Sequence, residues 1–319
     1  FPDFVLLYRI CHASRFEGEP QSECLLERWI VAARDDGIRA LDQLRDGVEN
    51  ALVGLGAGFV THPRNTELRA AVESGELTGP DMYRLLMRVV YRFLFLFVAE
   101  DRDVLMTPDV GEYQRERYER FYSTGRLREL ADRPTGSGHS DLWDGTVALM
   151  TVFNRVGGEP ELGLPELGSF LWSDDAIGLL AGARLDNSVL LQAIRQLSYV
   201  DDDKTLRRVD FAGLGAEELG SVYESLLELH PQLTTTNFTL NTGAGSERKT
   251  TGSYYTPTSL ITELLNSALD PVIDKAANSE HPEQAILDLN VVDPACGSGS
   301  FLLGAYQYML DWYLDGYCR

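Results

Sequence analysis

Nine consecutive residues have the types and order that hold a nucleotide-like ligand: Asp293-Pro294-Ala295-Cys296-Gly297-Ser298-Gly299-Ser300-Phe301. Glycines in such a turn let the backbone approach a bound molecule closely. Ahead of them, Ala285 to Val292 ends in Val291-Val292, a short buried-strand signal. Behind them, Leu302, Leu303, Ala305, Tyr306, Met309, Leu310 and Tyr313 recur at helical spacing. Strand, glycine turn and helix in that order open a Rossmann-like sheet.

The turn discriminates among ligands. A dinucleotide fingerprint starting at Gly297 needs a third glycine where the chain has Leu302, so a pyrophosphate, and with it an NAD-dependent enzyme, is disfavoured. A P-loop needs Gly-Lys-Ser/Thr, and no lysine lies in the turn. Asp293, at the expected strand end, would repel a phosphate but attract an ammonium, while the glycine amides face a carboxylate. That polarity suits the methionine end of S-adenosylmethionine. Cys296 reads as a small buried residue with no reactive role, and Phe301 as a residue that packs the helix onto the sheet.

A second group precedes this one. In Gly252-Ser253-Tyr254-Tyr255-Thr256-Pro257, Thr256 is placed as a helix N-cap and Pro257 as the first helical residue, ahead of Leu260, Ile261, Leu264, Leu265, Ala268 and Leu269. Free N–H groups at that helix start would lie behind two tyrosines. They could meet a carboxylate while an aromatic ring covers an apolar or cationic surface. Alone, the hexapeptide reads equally as an ordinary capped helix.

The rest of the chain must position these residues. Up to about Leu229, apolar residues recur every three or four positions, which predicts a mainly α-helical N-terminal domain over residues 1–230. Its clearest helix is Pro80 to Glu100, with Thr78 and Asp81 supplying a cap signal and Tyr83, Leu86, Met87, Val90, Tyr91, Leu94 and Val98 the periodic face. Arg84, Arg88 and Arg92 share one face of it, read as solvated or ion-paired, with a phosphate-contacting stripe as the alternative. Gly/Pro-rich stretches at Arg133 to Gly138 and Gly157 to Gly168 read as long surface connections. Leu197 to Val200 and Leu206 to Val209, flanking a polar turn, read as a small hairpin. Residues 231–251 turn to Thr, Asn, Gly and Ser and read as a linker, with residues 252–319 beyond it as the incomplete start of a second, α/β domain. Glu247 and Lys249 form the second half of a PD-(D/E)xK nuclease pattern, but no upstream Asp on a strand completes it.

Composition sets limits. The net charge is -21 and there are only three lysines, Lys204, Lys249 and Lys275. The one arginine-dense stretch, Arg84 to Arg133, holds ten arginines against nine acids. Phosphate neutralisation by cations dominates DNA affinity, so these residues are not expected to grip DNA alone. Four cysteines without a CxxC pair suggest neither zinc nor a disulfide framework, and no metal site is expected. The longest apolar run, Phe93 to Ala99, is far short of the ~20 residues a bilayer needs. A cytoplasmic location is the expectation, without membrane association.

Together, Tyr254-Tyr255-Thr256-Pro257 and Asp293 to Phe301 resemble motifs X and I of gamma-type N6-adenine DNA methyltransferases in order and separation. Upstream, Tyr91 to Asp103 and Gly220 to Pro231 resemble the helical region that precedes the methyltransferase domain in large type IIG restriction-modification enzymes and in the related BREX and DISARM phage-defence methyltransferases. The resemblance implies an S-adenosylmethionine site lined by Tyr254, Tyr255, Thr256 and Pro257 on one side and by Asp293, Pro294, Ala295, Cys296, Gly297 and Gly299 on the other. It implies methylation of adenine N6 in double-stranded DNA, and other defence-system subunits as partners.

Such enzymes hold the flipped adenine with an Asn/Asp-Pro-Pro-Tyr/Phe motif. No Pro-Pro dipeptide occurs here, so no catalytic residue is assigned. Starting at Phe1 and stopping eighteen residues past Phe301, the sequence reads as the N-terminal part of a longer enzyme, inactive by itself. The rival reading is a helical interaction module of a multi-subunit defence complex, with no activity of its own.

Overall fold

The computed structural model describes residues 24–133, 136–202, 205–215, 229–242, 258–294 and 299–317, together with 5, 8, 9, 12, 218–220, 222, 226, 256 and 296. The chain divides into two compact units, one made of residues 1–214 and 225–250, the other of residues 215–224 and 251–319.

The first unit is built on a long helix, α1 (Leu25–Thr61), started by Cys24, whose sulfur accepts from the Glu27 N–H. Leu44, Val48, Ala51, Leu52, Leu55 and Phe59 fall on one stripe of α1 and are all buried. Next come α2 (Thr66–Ser74), ended by Gly75 in the left-handed region at φ +77°, and α3 (Gly79–Asp101). The capping signal of α3 is realised as a reciprocal box. The Asp81 N–H donates to Thr78 Oγ1 at 3.3 Å and the Thr78 N–H donates to Asp81 Oδ2 at 3.2 Å. Helices α4 (Glu112–Phe121), α5 (Thr124–Ala131), α6 (Asp141–Val152) and α7 (Asn187–Ser198) complete the layer, with α7 packed along α1. Phe59, Trp143, Phe93, Phe97, Phe153, Trp172 and Phe211 fill the centre, with Phe59 edge-on to Trp143 at 5.1 Å and Phe97 against Phe211 at 5.1 Å.

Two antiparallel hairpins interrupt the helices. The expected small one is present as β1 (Tyr199–Asp202) paired with β2 (Thr205–Arg208). The second corrects the expectation of a linker from residue 231. Residues 229–242 form β3 (Leu229–Leu233) and β4 (Phe238–Thr242), closed at Thr234 to Asn237. Phe238 is wholly buried, and Gly56 of α1 lies so close to its ring that a Cβ there would overlap it. Phe238 on β4 and Leu229 on β3, both buried, dock the hairpin. The connection at Gly157 to Gly168 is also structured, through a turn of 3-10 helix (Pro160–Leu162) and the bridge between Glu159 and Leu164.

The solvated or ion-paired face expected of Arg84, Arg88 and Arg92 holds for Arg84 but not for the other two. Arg84 is exposed and pairs with Asp81. Arg88 donates to the Ala176 carbonyl at 2.9 Å and lies over the Phe170 ring. Arg92 is buried, donates to the Leu171 and Ser173 carbonyls at 2.6 Å each, and has its pKa pushed down to about 10 by burial. These arginines anchor the segment from Phe170 to Ala176 onto α3, and a buried guanidinium satisfied by carbonyls is unavailable to a phosphate.

In the second unit α8 (Thr258–Leu264) continues into a π-helical turn (Leu265–Leu269), α9 (Asp270–Ala277) and α10 (Pro282–Leu287). The final helix is α11 (Ser300–Tyr317). Pro271 explains the π turn: it has no N–H to bond back along the helix, and its ring crowds the preceding turn, which widens to accommodate it. Leu269, Ile273 and Ala305 form the core, with Leu265, Leu289, Tyr308, Met309 and Trp312 against it.

The strand expected over Ala285 to Val292 is not formed. Ala285 to Leu287 lie in α10, which has proline at its start, and residues 289–293 carry no regular structure. A strand needs a neighbour for its N–H and C=O groups, and the described residues of 251–319 contain no other strand. Val291 and Val292 are accordingly exposed, at 44% and 81%.

Candidate functional site

The glycine turn and the helix after it take the local shape the residues dictate. Gly299 adopts φ +83°, a left-handed conformation that favours glycine. Its N–H donates to the Cys296 carbonyl at 2.7 Å, closing the turn, and its own carbonyl receives the Leu303 N–H at 2.8 Å, the first bond of the following helix. Gly299 is thus the hinge at which the loop becomes α11. The first N–H groups of α11 emerge there, as helix starts leave them, and that is where an anionic group is best received.

Beside this turn lies a cavity of about 460 Å3 contained wholly in the second unit. Leu264, Leu265, Ala268, Leu269 and Val272 make one wall; Leu289 to Pro294 make the second, and Phe301, Leu302 and Ala305 of α11 the third. The lining is apolar except for Asn290 and the half-buried Asp293. Ligand cavities are typically of this size and composition, with few polar groups fixing orientation. The Tyr308 hydroxyl donates to Asp270 Oδ1 at 2.6 Å across the base of two walls, and that bond, with burial second, raises the Tyr308 pKa.

Of the residues singled out from the sequence, Asp293 and Pro294 line the cavity, and Gly299 and Cys296 form the turn at its edge. Cys296 is an exposed thiol, contrary to the expectation of a buried one, since its turn lies at the surface. Phe301 faces the cavity instead of packing onto a sheet. Thr256 is half-buried two residues before the start of α8. Tyr254, Tyr255, Pro257, Ala295 and Gly297, and the Glu247/Lys249 pair, lie outside the described residues. The π turn was missed as a cavity wall. Its sequence signal is Pro271 inside an otherwise helical pattern.

Other chemistry is sparse. Among the described residues no group of three His, Cys, Asp or Glu side chains is arranged to hold a metal, and no helix is long and apolar enough to cross a membrane. In the first unit, a polar cavity of about 310 Å3 is lined by both acids and arginines. Its floor is a hydrogen-bonded network in which Arg128 Nε has no partner among the described residues: Glu100 accepts from the Tyr118 hydroxyl and from Thr124 and Gly125, while Arg128 makes a two-point contact with Asp101 at 2.9 and 2.7 Å.

No solved structure matches the chain. Residues 217–314 match the model of the N-6 DNA methylase family, a stretch that runs through the glycine turn and all three walls of the cavity. The match covers a minority of the chain, and over that stretch the protein is similar to N-6 DNA methylases, which supports a DNA methyltransferase.

Proposed function

We propose that the cavity of the second unit is an S-adenosylmethionine site, and that the intact protein transfers a methyl group to the N6 of adenine in double-stranded DNA, marking host DNA in a restriction or phage-defence system. The observation that carries the reading is that the stretch similar to N-6 DNA methylases coincides with a cavity holding Asp293 and Pro294 in its wall and the start of α11 at its edge.

The residues fit such a cofactor. The apolar lining would hold a nucleoside body, Asp293 would attract a cationic end, and the N–H groups at the start of α11 would receive a carboxylate. The bound cofactor would supply a methyl group activated on a sulfonium. This chain's own residues bind it and exclude water around it. Tyr254, Tyr255, Thr256 and Pro257 are proposed as the cover over it, and Ala295, Cys296, Gly297 and Gly299 as the turn beneath it. The adenine grip is assigned to residues other than these 319, which include no Asn/Asp-Pro-Pro-Tyr/Phe motif.

Labelled-methyl transfer by the intact protein to adenine-containing duplexes tests the reading. Incorporation at adenine N6 is expected. Incorporation confined to cytosine, or none by protein that binds S-adenosylmethionine, overturns it.

A further inference from the structure

The cavity walls belong to separate stretches of chain, and something must hold them at a fixed separation. One wall is the π turn Leu265–Leu269 with Val272, and another is the face of α11 carrying Phe301, Leu302 and Ala305. A π turn is a costly geometry that recurs where a helix is reshaped for function. Here it ends at Leu269, and the next residue, Asp270, receives the Tyr308 hydroxyl at 2.6 Å. Tyr308 lies seven residues after Phe301 and three after Ala305, so all three share a face of α11. Its ring packs on the core of Leu269, Ile273 and Ala305 while its hydroxyl reaches across to the opposite wall.

We propose that Tyr308 and Asp270 are a pair of positioning residues whose hydrogen bond latches α11 to the end of the π turn and sets the width of the cavity. The apolar contacts beneath are non-directional and tolerate sliding of one helix on the other, whereas a hydroxyl donating to a carboxylate fixes one register. Neither residue lines the cavity, so both act through Leu269 and Ala305, their neighbours in the walls. The latch rests on the cofactor reading only for the identity of the ligand.

The test compares the 319-residue chain with Tyr308→Phe, Asp270→Ala, Asp270→Asn and the double variant Tyr308→Phe/Asp270→Ala. Titration calorimetry with S-adenosylhomocysteine reads the cavity, and amide hydrogen exchange at Leu265 to Leu269 and Leu303 to Tyr308 reads the two latched walls without ligand. Tyr308→Phe and Asp270→Ala are each expected to weaken binding about five-fold and to speed exchange in both walls, as loss of one charge-assisted hydrogen bond predicts. The double variant should match the singles, and Asp270→Asn, which keeps an acceptor oxygen, should restore binding and exchange to near the unaltered chain. Additive losses, or an Asp270→Asn variant as impaired as Asp270→Ala, would overturn the latch, as would unchanged exchange in Tyr308→Phe. If the unaltered chain binds no S-adenosylhomocysteine, the cofactor reading fails, and the exchange pattern alone decides the latch.

Discussion

Replacing Glu100 with alanine should be among the most destabilising single changes in the first unit. Its carboxylate, only 11% exposed, accepts from the Tyr118 hydroxyl at 2.6 Å and from the Thr124 N–H, the Thr124 hydroxyl and the Gly125 N–H at 2.7 Å each. Two of these donors are the leading amides of α5, so the carboxylate also sits where the helix dipole favours a negative charge. Removing it strands buried donors at Tyr118, which is 2% exposed, and Thr124, which is 0% exposed. Each stranded group costs about 1–3 kcal/mol, and breaking a buried charged group's network typically costs about 3–5 kcal/mol in all. Arg128 loses its 3.6 Å ion pair with Glu100 but keeps both contacts to Asp101, which limits the damage. A loss of about 3–5 kcal/mol is therefore expected for Glu100→Ala. Each carboxylate oxygen serves two donors, so Glu100→Gln sets an amide donor against one of those pairs, and roughly half the loss is expected. Urea unfolding followed by far-ultraviolet circular dichroism measures both. A Glu100→Ala variant within about 1 kcal/mol of the unaltered chain would refute the reasoning that the four donors bonded to Glu100 depend on its carboxylate.

Three further outcomes are expected. Gly56→Ala should cost about 1–3 kcal/mol by forcing the Phe238 ring and the β3–β4 hairpin off α1, read as faster proteolysis within residues 229–242 and a lowered urea midpoint. Asp81 has a pKa below its ordinary 3.8, held down first by the Thr78 side chain, then by Arg84 and the Thr78 N–H. Its folded value is thus below its unfolded one, so its contribution to α3 is complete above the unfolded pKa and is lost as pH falls through the folded pKa. A carboxyl NMR titration should show a midpoint below 3.8, which Thr78→Ala moves upward. Gly299→Ala meets no steric neighbour but places a side chain at φ +83°, at a cost of about 1–2 kcal/mol, and should weaken cofactor binding about ten-fold without changing the urea midpoint of the first unit.

The most local features were the most legible. The α3 cap needs only Thr78, Pro80 and Asp81, all within one turn, and the β1–β2 hairpin needs only its flanking apolar runs. Features decided by distant partners were not. Arg92 looks like part of a surface stripe until Leu171 and Ser173, some eighty residues later, supply the carbonyls that bury it. Phe238 is the wholly buried aromatic of a polar stretch, and nothing local reveals that Gly56 leaves room for it. Ala285 to Val292 is apolar enough for a strand or a helix; Pro282 favours a helical start, and pairing with a neighbouring strand, which sequence alone does not supply, would be needed to decide otherwise. In the candidate site, Asp293, Pro294 and Gly299 stand out in the sequence because a glycine turn between an apolar run and a helix is marked by local residue types. The apolar wall of the π turn carried no such mark.

S-adenosylmethionine is the proposed occupant of the cavity between the π turn, residues 289–294 and α11. Ultraviolet crosslinking of methyl-labelled S-adenosylmethionine to the 319-residue chain, followed by mass-spectrometric mapping of the labelled peptide, tests it directly. Label should fall within residues 254–272 or 289–305, be displaced by excess S-adenosylhomocysteine, and be strongly reduced in Asp293→Ala. Label confined to the first unit, or undiminished by the competitor, would contradict it.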